Sequence, residues 1–160
     1  MRHMGIGCLL LGLFLGGFIL PGSAVADPPT LEEYLLSFDY ADRREMKISS
    51  KELLVSLVEG EVVLVDIRFA EEHAAWGVGF GLKIPLNELP RRLAEIPRDK
   101  IIVTACPLKD RAIIAMAYLR TQGFETRYLT DGLLGLVNNL RGDNAKLFMR
   151  LLAEENAGES

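Results

Sequence analysis

Two kinds of hydrophobic pattern alternate along the chain. Continuous apolar runs, Val62-Val63-Leu64-Val65 and residues 100–105 (KIIVTA), read as strands covered on both faces. A β-branched run without alternation has no polar side to offer water. Elsewhere apolar residues recur at helical spacing: Leu53, Leu54 and Leu57 behind a cap at Ser50, then Ile113, Ile114, Met116, Ala117 and Leu119 within 111–122. Gly60 and Gly123 close these two helices. Shorter elements fill the gaps: strands over 46–48, 82–84 and 126–129, a helix over 70–75, a helix capped by Asn87 that holds Leu89 and Leu93, and a helix opened by Asp131. Outer helices are predicted over 30–44, with Thr30 as cap and a stripe of Leu31, Tyr34, Leu35 and Phe38, and over 143–155. Both stripes are expected to pack on the sheet. Strands separated by helices imply parallel β-α-β units with right-handed crossovers. The fold class is therefore α/β, a parallel β-sheet with helices on both faces.

The N-terminal pattern differs. Arg2 and His3 precede an apolar run over 6–20, followed by Pro21, Gly22, Ser23 and Ala24-Val25-Ala26. This is the charged start, apolar core and small-residue cleavage site of a secretory signal. A retained anchor fits less well, because the run falls short of the ~20 apolar residues that span a bilayer. The expected organisation is a cleavable signal peptide over 1–26, a helical extension over 27–45, the α/β domain over 46–142, and a C-terminal helix and tail over 143–160. The protein is expected to be exported: periplasmic where the cell has an outer membrane, otherwise extracellular. It would touch a membrane only through an uncleaved signal segment.

Composition narrows the function. With 18 basic against 22 acidic residues, a net charge of −4 and 49% hydrophobic residues, the chain is neither disordered nor a basic nucleic-acid binder. Losing Arg2 with the signal makes it more acidic still. Cleavage also removes Cys8, leaving Cys106 as the one cysteine of the mature chain. A single cysteine closes no internal disulfide and builds no Cys-based zinc site. No metal or organic cofactor is implied.

Cys106 follows the KIIVTA strand directly, and Pro107, Leu108, Lys109, Asp110 and Arg111 lead from it into a helix. In open α/β sheets ligands bind beyond the carboxyl ends of strands. The unpaired N–H groups of the next helix, with Lys109 and Arg111, would stabilise a thiolate there, predicting a nucleophile ionised at neutral pH. The other reading is an inert cysteine packed at the end of a core strand. His73, the one histidine of the mature chain, is expected on the solvated surface. Asp66 and Arg68 are expected to fix neighbouring loops by hydrogen bonds or an ion pair. Trp76 and Phe80 are expected to cover the sheet rather than line a pocket mouth. Gly77, Gly79 and Gly81 lack the spacing of a phosphate loop and lead into a strand, not a helix.

From Met46 to about Gly142 the chain resembles a single-domain rhodanese-like protein, of the sulfurtransferase family. The matching segments run in order: ISSKELL, VVLVDIR, EEHAA, IPLNELPRRLAEIP, the strand into Cys106, and LTDGLLGL. The resemblance implies that Cys106 takes a sulfane sulfur as a persulfide and passes it to a thiophilic acceptor. Pro107, Leu108, Lys109, Asp110 and Arg111 would then form the loop that holds the sulfur donor. Donors would be thiosulfate, a polysulfide or another persulfide; acceptors would be cyanide, a small thiol or a protein thiol. Three places depart from the family pattern. In the usual C-x-x-G-x-R-[ST] loop the glycine is Lys109, giving up access to positive φ, and the last position is Ala112. The stretch 76–81 lacks the usual histidine, and Leu136 stands where an aromatic is common. Such a loop also suits a non-catalytic binding module, the alternative reading. Phosphatases and arsenate reductases of this fold rank lower, since the phosphatase loop carries one more residue between cysteine and arginine.

Overall fold

Five strands form one wholly parallel sheet, in the computed structural model that describes residues 27–158. The signal peptide read over 1–26 lies outside the described residues. The strands are β1 Lys47–Ile48, β2 Val62–Asp66, β3 Leu82–Lys83, β4 Ile101–Ala105 and β5 Thr126–Leu129, in the order β1-β5-β4-β2-β3. The two apolar runs are the neighbouring strands β2 and β4, in register from Val62 opposite Ile101 to Asp66 opposite Ala105. They end level, and the Ile67 N–H extends the pairing to the Ala105 carbonyl at 3.0 Å. Cys106 therefore leaves the sheet from an inner strand, beside the Asp66–Arg68 strand end.

Helices cover both faces. On one side lie α3 Ser50–Val58, α6 Gly132–Asn139 and α7 Asp143–Gly158, whose Leu53, Leu57, Leu133, Leu136 and Phe148 pack on Leu64 and Val103. On the other, α5 Asp110–Arg120 packs Ala112, Ala115, Met116 and Leu119 on Val65, Ile102 and Tyr128. The short helix α4 Ala70–Ala75 follows β2. No helix among the described residues is long and apolar enough to cross a membrane.

Several local expectations change. The helix expected over 30–44 breaks into α1 Leu31–Ser37 and α2 Tyr40–Glu45, because the Asp39 carboxylate accepts from the Ala41 and Asp42 N–H groups and caps a fresh start. The stripe on α1 is buried only at Tyr34, while Leu31, Leu35 and Leu36 face solvent. The cap of α3 is Ser49, not Ser50; Ser49 and Glu52 bond each other's backbone, and the Ser50 N–H turns to Asp131. The helix expected after Asn87 is two 3-10 turns, Leu89–Arg91 and Leu93–Glu95. Pro90 carries no N–H to continue an α-helical ladder there.

Candidate active site

Cys106 is 0% exposed, with its sulfur at the N-terminus of α5. The N–H groups of Ala112, Leu108 and Arg111 face Sγ closely enough to favour its anionic form. This cradle exists because the chain turns from strand to helix within a few residues, before intrahelical acceptors are available. Its outer side is tied down as well. The Leu133 N–H donates to the Cys106 carbonyl at 2.9 Å and the Leu134 N–H to the Pro107 carbonyl at 3.2 Å. With the loop carbonyls held by α6, the loop N–H groups point inward. That close approach requires Gly132, which has φ +62; a Cβ there would lie 2.1 Å from the Leu108 oxygen.

The expected loop residues are placed as follows. Pro107 contributes a carbonyl to α6, and Leu108 contributes an N–H to the cradle while its side chain is 63% exposed. Lys109 is exposed, and its φ of −155° is negative, so this position does not call for the positive φ that glycine would allow. Asp110 accepts from the Cys106 thiol, Sγ to Oδ1 3.5 Å. The nearby Arg111 N–H holds the Asp110 carboxyl below the usual carboxylate range, with the Cys106 thiol adding to the effect. The Arg111 guanidinium turns away to Glu72 on α4, with two bonds of 2.6 and 2.9 Å, and lies over the Phe69 ring. Arg111 brings Glu72 down to about 2, with the Phe69 N–H assisting.

Cys106 itself departs from expectation. Burial pushes the thiol up, and the Asp110 carboxylate adds to that; the three N–H groups pull it down but do not prevail. Burial and the Asp110 carboxylate thus work against the thiolate that the sequence predicts. Helix N–H groups favour the anion, but here they work against burial and, to a smaller extent, the Asp110 carboxylate.

Asp66 and Arg68 form a buried ion pair at 2.7 Å, and Arg68 is 0% exposed. Arg68 also donates to the Trp76 carbonyl at 2.9 Å and lies under the Trp76 ring at 3.9 Å. Asp66 and Arg68 fix the α4 segment against the sheet, as expected. Trp76 covers Arg68, and Phe80 packs on Phe148. His73 corrects an expectation: its side chain is 11% exposed, not solvated, with Nε2 3.3 Å from Asp66 Oδ1. The half-buried positions Glu72 and His73 form the inner side of α4, a short stripe masked in the sequence by polar residue types. Sequence reasoning also missed Ala112 as a cradle donor and Glu72 as the partner of Arg111. No group of three or more metal-ligating side chains occurs among the described residues.

No family model matches the chain. It is 37% identical over 97 residues to a sulfurtransferase of Allochromatium vinosum, covering 60% of this chain and 81% of that one. It is 36% identical over 112 residues to an HTH-type transcriptional regulator of Mycobacterium tuberculosis, covering 69% of this chain and half, 50%, of the regulator. Among solved structures, a rhodanese-like domain protein of Staphylococcus aureus superposes with a TM-score of 0.53 at 25% identity, covering 56% of this chain and 89% of that one.

Proposed function

The chain belongs to the rhodanese-like sulfurtransferases, and from that premise we propose that Cys106 takes up a sulfane sulfur as a persulfide and hands it to a thiophilic acceptor. The reading rests on one observation above others, the three N–H groups gathered on the Cys106 sulfur. Once the thiol loses its proton, the thiolate attacks the outer sulfur of the donor. The donor's S–S bond breaks, and its remainder leaves as a thiol or, from thiosulfate, as sulfite. Cys106 then carries a second sulfur whose negative charge the fixed N–H donors stabilise without reorganising. A thiol, a protein cysteine or cyanide attacks that outer sulfur and restores Cys106. The donor-binding residues in this reading are Pro107, Leu108, Lys109, Asp110 and Arg111, with Ala112 added.

The test is the intact mass of the protein before and after a polysulfide, with Cys106→Ser beside it. The expected result is a gain of one sulfur atom, removed by cyanide and absent from the variant. A variant that gains the same mass would overturn the assignment of Cys106. A second reading, a non-catalytic binding module, draws on the buried thiol that burial pushes up. No mass gain with any sulfane donor would favour it. We further propose that the protein works outside the cytoplasm, a reading that rests on residues 1–26.

A further inference from the structure

The anion-binding cradle around Cys106 already holds an anion belonging to the chain. Asp110 places Oδ1 3.5 Å from Sγ, and the Arg111 N–H favours its charged form. A donor that carries negative charge next to the transferred sulfur would have to share this space. The surrounding charges do not compensate. Arg111 is taken by Glu72 at 2.6 and 2.9 Å, so Lys109, Asp110, Arg111 and Glu72 together sum to zero. The exposed side chains at the rim include the apolar Leu108, Phe69 and Leu134. Such a rim offers little to a sulfonate and something to carbon.

We propose that Asp110 is a specificity-determining residue that turns the site away from thiosulfate and toward organic persulfides, R–S–SH. The two donors differ at the atom next to the outer sulfur: thiosulfate places a charged sulfonate there, whereas a persulfide places a sulfur bonded to carbon. In the step, the Sγ–H proton leaves along its bond toward Asp110. The thiolate forms a bond to the outer sulfur of R–S–SH, the donor S–S bond breaks, and R–S⁻ takes up a proton. The products are Cys106–S–SH and R–SH, with no net oxidation. This inference rests on the sulfurtransferase reading and narrows its donor.

The experiment measures sulfur loading of the full mature protein by intact mass against time, with cysteine persulfide and thiosulfate in parallel, for the wild type, Asp110→Asn and Asp110→Ser. Asparagine and serine both remove the charge but differ in shape, so agreement between them ties the effect to charge. The wild type is expected to load at least tenfold faster from the persulfide. Both variants are expected to gain at least tenfold with thiosulfate relative to persulfide. Because Asp110 adds to the upward push on the thiol, the pH midpoint of Cys106 alkylation should also fall in both variants, a shift that a purely structural role would not produce. Equal loading of the wild type by the two donors, or an unchanged donor ratio in the variants, would overturn the inference while leaving the sulfurtransferase reading in place. Loading by neither donor would overturn both.

Discussion

The link between Glu72 and Arg111 joins α4 to α5 across the opening of the site. A carboxyl held at about 2 by its arginine stays charged well below the ordinary range of about 4.3. The sign follows from linkage: a depressed carboxylate adds stability above its unfolded value and loses it as pH falls toward the folded one. Glu72 is partly exposed, so Glu72→Gln should cost about 1 kcal/mol or less at pH 7. That difference should shrink below about pH 4 and vanish near pH 2, as the wild-type carboxyl protonates. Urea unfolding of both proteins across that range measures it. A gap that persists undiminished at pH 2 would assign the loss to packing rather than charge. The same variant frees the Arg111 guanidinium, and loop charge then tilts positive.

Among the elements, the strand ends and the α6 N-terminus position the sulfur. Gly132 is the contact point, and Gly142 is a natural control. Both have positive φ, but a Cβ at Gly142 meets nothing within 4 Å, whereas one at Gly132 meets the Leu108 and Pro107 carbonyls. Gly142→Ala should therefore cost only backbone strain, about 1 kcal/mol. Gly132→Ala should cost at least about 3 kcal/mol, since the loop must also move, and should slow sulfur loading in the folded fraction. Thermal unfolding and loading kinetics on the two variants compare them; equal costs would remove the contact from the account. This element level was the most legible in the sequence. Runs such as Val62–Val65 have one physical solution, a doubly covered strand, and a cysteine between such a strand and a helix lands at the sheet's carboxyl edge. Less legible were pairings with no local period. Nothing near Arg111 in sequence points to Glu72, 39 residues away. Burial of His73 and the push on Cys106 likewise depend on what folds against them. The break at Asp39 was missed, although Asp39 and Asp42 carry the spacing of a reciprocal cap.

For the whole molecule, the proposed export and the proposed chemistry bear on the same cysteine. In an oxidising compartment an exposed lone thiol pairs with other molecules, whereas Cys106 is buried beneath its own loop. Burial and the raised thiol slow disulfide exchange with bulky thiols, because exchange needs access and thiolate. The proposed reaction requires that a narrow persulfide still reach the sulfur. We therefore expect the full chain, expressed in a bacterium with an outer membrane, to be recovered from the periplasm as a protein beginning at Asp27. It should carry one thiol that reacts slowly with a bulky disulfide reagent when folded and fully when unfolded. N-terminal sequencing, intact mass and a thiol count in both states measure this. Recovery in the membrane fraction with residues 1–26 attached would replace export with anchoring. Rapid reaction in the folded state would mean that the loop opens readily, and access to Cys106 would then be set by loop motion rather than by the fixed shape of the cradle.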